Sequence, residues 1–419
     1  MTMDNIAAGL SPAVAKPAHV PDAAVYDFDM YLDPGLTQDP HKRVLELLRV
    51  APPVFWTPRN MGHWVVTGHA ENYALSRDTA AFTSNIAPPE AMAALRAHLP
   101  PDFGHIPNAT PINLDPPAHT IYRAPLQAAF SPKAMAARKE DIRAFAGELI
   151  DAVAKQGHCD FISAVAEPLP VTVFLKMLGL PVERLAEFRV LVHEHLAPAQ
   201  SPIDYVFRSR KVADAMRETL EARRTEPKDD LISLLWQAEV DGKPMTMELM
   251  EDYGVLLFIA GLDTVINGLG YGIRHLALNP GFQAELRANP KLIPEAAEEI
   301  LRRYTFTAPV RALAKDAELG GWPMKKGERL VIFLPGADLD AREFPEPEKF
   351  DMNRENKMHI AFGVGPHRCL GSHLARVELQ VVYEEVLARL PLFRMDETRP
   401  AKFHGGNILA IDSLPIRWD

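Results

Sequence analysis

The run Ala361-Phe362-Gly363-Val364-Gly365-Pro366-His367-Arg368-Cys369-Leu370-Gly371 sets one cysteine in a frame of glycines, with Phe362 seven residues ahead. No other stretch narrows the possible folds as far. Gly363, Gly365 and Gly371 give the chain access to backbone angles closed to other residues, so it can curl tightly and turn N–H groups toward sulfur. Such bonds hold a ligating sulfur as thiolate and tune the metal it binds. Ser372 to Leu379 reads as a helix, whose positive end then lies near the anion. The plain alternative is a structural cysteine, since a free cysteine behaves as a small hydrophobe.

One axial thiolate with no second protein ligand nearby is the haem-thiolate arrangement, with Cys369 on the iron. The pattern Phe-x-x-Gly-x-x-x-Cys-x-Gly, filled by Phe362, Gly365, Cys369 and Gly371, resembles the haem-binding signature of the cytochrome P450 monooxygenases. The resemblance implies a mainly α (α+β) fold with a small β-rich region. It places haem b between a long central helix and the cysteine loop, where Phe362 and Gly363 contact the cofactor.

At 419 residues the chain is long enough to enclose a cofactor in a deep core. A hydrophobic content of 47% with mean hydropathy -0.10 fits a soluble globular protein. Met1 to Val20 carries Asp4, Pro12, Lys16 and Pro17 and has no long apolar run, so it reads as neither signal peptide nor membrane anchor. Residues 1–22 read as a flexible leader and 23–419 as a single domain. Cys159 and Cys369 are the only cysteines, and a disulfide between them would consume the ligand, so a reducing cytoplasm is expected. A net charge of -10 argues against nucleic acid as the main partner.

Helical periodicity dominates from Pro40 onward, with candidates at His41–Val50, Pro132–Lys155, Glu167–Leu178, Glu183–His195, Tyr205–Arg224, Gly281–Asn289, Pro294–Tyr304 and Ser372–Leu390. Strands are expected at Pro53–Thr57, His63–Thr67, Arg311–Ala314, Arg329–Phe333 and Pro415–Trp418. The longest helical stretch, Met247–Leu278, would run roughly 48 Å. Its centre is apolar on both faces and then meets Ala260-Gly261-Leu262-Asp263-Thr264. A glycine and an acid inside such a helix each cost stability, and a hydroxyl bonding back to the preceding turn can open a groove at Gly261. By resemblance, Asp263 and Thr264 are the catalytic acid–alcohol pair that delivers protons to bound dioxygen, with Arg189 as the ion partner of Asp263.

Glu299 and Arg302 stand three apart on one helical face and match the family's Glu-x-x-Arg element, with Arg354 as the third, structural charge. His119 and Arg123 share a face at i,i+4, and Arg311 and His367 occupy matching places. Together they are expected to satisfy the two haem carboxylates. His193 and His195, two apart, cannot face one metal from a helix and read as solvated. The pocket walls implied are Leu256, Ile259, Ala260, Phe306, Thr307 and Ile408.

Within the family, Asp27-Phe28-Asp29-Met30-Tyr31, Gly62-His63-Trp64, Gly261-Leu262-Asp263-Thr264-Val265 and the tail Leu414–Asp419 resemble the bacterial camphor 5-monooxygenase subfamily. Those enzymes are soluble and take electrons from a [2Fe-2S] ferredoxin served by an FAD-dependent reductase. This chain departs from them between Thr83 and Asp115, which contain no tyrosine to hold a substrate ketone, and at Pro309, where an acid is expected. A longer segment Pro88–Ile106 accompanies the change. A larger apolar terpenoid, such as a norisoprenoid ketone like ionone, fits better than camphor. A monomer with no membrane or nucleic-acid partner is expected. A peroxide-driven peroxygenase and a non-catalytic haem-thiolate sensor are the competing classes.

Overall fold

Capping residues mark where the long helices begin. Asp39, Ser201 and Thr246 accept backbone N–H groups at the heads of Pro40–Val50, Pro202–Thr225 and Met247–Leu262. The computed structural model describes residues 9–87, 89–196 and 201–419, apart from the side chains of Pro89, His193, Leu196 and Leu262. Pro168–Leu178, Leu185–Leu196, Pro280–Ala288, Ile293–Arg303 and Ser372–Arg389 stand close to their expected positions. Pro132–Lys155 instead forms two helices, Pro132–Ala136 and Lys139–Ala154, with a junction at Ala137–Arg138. His69–Arg77, Pro89–Arg96 and Leu231–Trp236 are helices that periodicity did not single out.

The long central stretch is also divided. Met247–Leu262 and Thr264–Leu278 meet at Asp263, whose φ of -110° and ψ of -32° step outside regular helix. By length and composition the pair could cross a membrane, but most of it is buried in the core. The break falls at Asp263 and not at the expected groove residue. Gly261 serves packing, because a Cβ there would sit 2.6 Å from the Phe174 ring.

A five-stranded sheet runs in the order Val54–Thr57, His63–Val66, Arg329–Ile332, Val310–Leu313, Phe82–Thr83. Only the pairing of His63–Val66 with Arg329–Ile332 is parallel. The leader expectation needs correction over its described part. Ser11 N–H donates to Asp29 at 2.7 Å, Val14 N–H to the Pro58 carbonyl at 3.0 Å, and Val20 is buried, so residues 9–22 are docked along the sheet. Residues 1–8 lie outside the described residues.

Glu299, Arg302 and Arg354 come together under this architecture. Arg302 is 1% exposed and grips Glu299 with Nε and Nη2, each at 2.8 Å. Its remaining hydrogens reach the carbonyls of Asp338, Pro347 and Lys349 at 2.9–3.2 Å. Arg354 donates to Glu299 at 3.0 Å and to the carbonyls of Pro345 and Glu346 at 2.7 and 2.8 Å. Two guanidiniums therefore organise a stretch of chain, 345–349, that has no ladder of its own.

Glu378, in Ser372–Arg389, is the opposite case. It is 1% exposed, and among the described residues neither carboxyl oxygen has a partner. Burial pushes its pKa up to about 8. The folded protein thus keeps a proton that the unfolded chain has released, so stability falls as pH rises from about 4.5 to about 8 and levels off above that. Glu378→Gln is expected to flatten this decline and stabilise the protein by up to roughly 3 kcal/mol near pH 8. Urea unfolding at a series of pH values checks this, and an equally steep decline in the variant would refute the assignment.

Candidate active site

The cysteine loop closes on itself through the Cys369 N–H, which donates to the Phe362 carbonyl at 2.8 Å, and the Gly363 N–H, which donates to Ile360 at 2.7 Å. Gly363 and Gly365 have φ of +68° and +75°, as the turn requires. At Gly365 a Cβ would also collide with the Ser76 carbonyl oxygen. Gly371 does not use a left-handed conformation. With φ of -77° it caps Ser372–Arg389, and its amide favours the Cys369 thiolate. The residue is open on one side, yet the protein packed around its sulfur pushes the Cys369 thiol up. The Gly371 amide and the charges of Arg123, Arg368 and Arg376 oppose that shift. The Arg376 guanidinium lies over the Phe362 ring at 4.5 Å.

Beside this loop stands a group of cationic and donor side chains. Arg123 Nη2 donates to the Arg368 carbonyl at 2.6 Å, which ties helix Ala118–Ala129 to the residue before the cysteine. The His119 and His367 rings are 4.1 Å apart, and His367 Nε2 pairs with Ser84 Oγ at 2.9 Å. Burial lowers the pKa of Arg311, of Arg123 and of His119. Burial and then the Arg311, His119 and Arg123 charges push His367 down to about 3. Among the described residues no carboxylate forms an ion pair with Arg123 or Arg311, and buried His119 Nδ1 has no protein partner. Asp115, which lends Arg311 some charge, is engaged by the Thr83 hydroxyl and by the Ser84 N–H at 2.9 Å. A donor set of this kind, next to a lone cysteine, fits the two carboxylates and the iron of haem.

On the other wall, Thr264 Oγ1 donates to the Ala260 carbonyl at 3.2 Å across the helix break. Asn267 spans the same break. Its Nδ2 donates to the Asp263 carbonyl at 3.1 Å and its Oδ1 accepts the Ile411 N–H at 2.9 Å. A buried asparagine four residues after Asp263 in an apolar helix was a readable signal, and sequence reasoning passed over it. Arg189 does not meet the expectation placed on it. Both arms of its guanidinium are held by Glu167, with Nε at 2.6 Å. His195 likewise is not solvated. It is buried against Tyr205 with ring centroids 4.9 Å apart, and burial pushes its pKa down to about 4. The His193 side chain lies outside the described residues.

The expected pocket residues fall into two groups. Leu256, Ile259 and Ala260 lie on the long helix, and Ala260 is exposed while Leu256, Ile259 and Gly261 are half-buried. Thr307 bridges Ile408, and the Leu409 N–H donates to the Phe306 carbonyl at 2.8 Å, so chain segments a hundred residues apart form one edge. Phe306 in turn approaches Gly268 of the long helix.

The cytochrome P450 family model matches residues 208–418. A relative described as probable cytochrome P450 127A1, from Sinorhizobium fredii, is 35% identical over 416 residues, 96% of each chain. A steroid C26-monooxygenase from Mycobacterium tuberculosis is 36% identical over 321 residues, 73% of this chain and 84% of its own. Among solved structures, CYP101J2 superposes with a TM-score of 0.86 at 31% identity, covering 97% of this chain and 100% of its own. CYP101C1 does so with a TM-score of 0.85 at 30% identity and the same coverage.

Proposed function

Because the chain belongs to the cytochrome P450 family of haem-thiolate monooxygenases, we propose that Cys369 is its iron ligand. We further infer that it hydroxylates a small apolar ketone of the terpenoid or norisoprenoid class. Haem, when bound, supplies the activation of O2 and the one-electron chemistry. The protein supplies the rest. His119, Arg123, Arg311 and His367 would hold the cofactor's carboxylates, and the Gly371 amide would favour the thiolate form of Cys369 against the burial that opposes it. Thr264, anchored on Ala260, would hold a proton donor at the distal face, with Asp263 passing protons in from solvent. The observation that carries this reading is the Arg123 bond that joins the cysteine loop to a cluster whose two guanidiniums, Arg123 and Arg311, meet no carboxylate in an ion pair among the described residues, an arrangement suited to a dianion.

Leu256, Ile259, Ala260, Phe306 and Ile408 would grip the substrate by buried apolar area, with Thr307 the one hydroxyl among them. Such a lining favours a larger ionone-like ketone over camphor. A [2Fe-2S] ferredoxin with an FAD-dependent reductase is the proposed electron source. Arg123 and exposed Arg368 beside the cysteine would give an acidic ferredoxin a positive face. A reducing, cytoplasmic setting and a monomer complete the reading.

Turnover of an ionone and of camphor, with ferredoxin and reductase or with peroxide alone, tests the proposal on the native protein and Thr264→Ala. Oxygen-dependent hydroxylation, tighter binding of the ionone, and at least roughly tenfold loss of product per reductant in Thr264→Ala are expected. Full activity with peroxide alone would favour the peroxygenase reading, and unchanged coupling in Thr264→Ala would remove the role given to that hydroxyl.

A further inference from the structure

The chain between helix Pro89–Arg96 and Asp115 has no ladder to hold it, yet it is fastened at several points. Its main fastening is a single side chain of the long helix, Asp252, 9% exposed. Asp252 Oδ1 takes His105 Nε2 at 2.7 Å and the Asn108 N–H at 2.8 Å, and Oδ2 takes the Thr110 hydroxyl at 3.2 Å. A carboxylate accepting bonds from three residues within a short span of one loop orders that loop about itself. Two weaker ties flank it. The Phe103 ring meets Phe207 edge-on at 5.4 Å, and Arg210 Nη1 lies 3.5 Å from the His105 carbonyl.

Position gives the fastening its meaning. Asp252, Leu256 and Ile259 stand at i, i+4 and i+7 and so share one face of the long helix. At its other end the loop reaches Asp115, which holds Ser84, the partner of His367. The loop thus runs from the cationic cluster to the helix face that carries the expected pocket wall. We propose that residues 100–114 are a strap across the mouth of that pocket, clamped by Asp252 and loosened when His105 loses its proton. The inference rests on the reading of the pocket given above.

The charges facing His105 support a proton-dependent clamp. Asp252 raises its pKa through their hydrogen bond, burial opposes this, and Glu251 and Glu248 on the same helix add to the rise. Arg210, from helix Pro202–Thr225, is matched by Glu251 at 2.7 Å and Asp214 at 2.9 Å, and Arg217 also donates to Glu251. Arg96 approaches from its own helix but donates to the Gly104 carbonyl. A histidine with a raised folded pKa contributes its full stabilisation below the ordinary histidine value near 6.5. That contribution is lost as pH climbs through the raised value. The clamp is therefore tightest in mild acid and slackens in alkali.

The test uses the haem-loaded protein, Asp252→Asn and His105→Gln. Two readouts are taken at several pH values: hydrogen exchange of the 100–114 amides, expressed relative to the rate of an unprotected amide at the same pH, and stopped-flow binding of 4-phenylimidazole, a bulky iron-ligating probe, expressed per neutral probe molecule. In the native protein both exchange and association should quicken with rising pH. In either variant both should be roughly tenfold faster in mild acid and lose their pH dependence. Thr110→Val, which removes one neutral bond, should give a change of about threefold and serves if Asp252→Asn folds poorly. Native exchange rates in the variants would overturn the clamp. Faster exchange with unchanged probe kinetics would overturn the gate. A probe that shifts no haem absorbance would defeat the reading of the pocket, while exchange would still decide the clamp.

Discussion

Replacing Cys369 with histidine abolishes the red-shifted carbon-monoxide band of the reduced, haem-loaded protein, while Cys159→Ser leaves it unchanged. That is the expected result, and the contrast between the two cysteines explains it. Cys159 lies in the strand His158–Asp160, is 6% exposed, and burial pushes its thiol up to about 12, so it is an inert core residue. Cys369 sits at a turn with the Gly371 amide and three arginines acting on its sulfur. Imidazole in its place offers a neutral donor and removes the charge that distinguishes a thiolate centre. The donors for the cofactor's carboxylates lie on other segments, so Cys369→His should still take up haem in part, and the spectrum is read per bound haem. A band of native intensity per haem in that variant would refute the ligand assignment.

The largest effect on folding is expected at Arg302. Arg302→Ala strands the buried Glu299 carboxylate and frees carbonyls from Asp338 to Lys349 together, a loss of about 3–5 kcal/mol. Domains are stable by only about 5–15 kcal/mol, so much of the variant should fail to accumulate in folded form. Arg302→Lys should rescue little of this, because an ammonium cannot bridge both Glu299 oxygens and the carbonyls beyond them. Arg394→Ala, which breaks the exposed pair with Asp419, should leave the unfolding midpoint close to that of the parent, because solvent screens such a pair. Urea unfolding of the four proteins decides the matter. An Arg302→Lys protein within about 1 kcal/mol of the parent would show that charge alone suffices there.

What could be read in the sequence depended on how local its cause was. Cys369 with its glycines, and Glu299 with Arg302, are set by spacings of a few residues, and the structure places them in tight loop and helical geometry. The division of Met247–Leu278 was half visible, since Gly261, Asp263 and Thr264 announced an irregularity. Its position at Asp263 depends on Asn267 and on Ile411, well over a hundred residues away. Arg189 was assigned by analogy, and the outcome turned on Glu167, the acid it meets in the fold. His195 looked solvated because helical spacing says which face a residue takes and not what covers that face. Tyr205, on the next helix, covers it. The strap on Asp252 was out of reach for the same reason. His105 and Asp252 are 147 positions apart, and neither belongs to a motif.

The arginines at 302 and 354 carry a consequence for how this region can diverge. Apart from Glu299, they address the chain through main-chain oxygens, at Asp338, Pro345, Glu346, Pro347 and Lys349. A backbone carbonyl is the same whichever side chain it bears. The grip on 345–349 is therefore blind to identity, and the outward side chains of Glu348 and Lys349 are left to drift in charge and size. Two fixed guanidiniums thus give a lineage one stretch of surface that can be rewritten while the architecture beneath it stays constant.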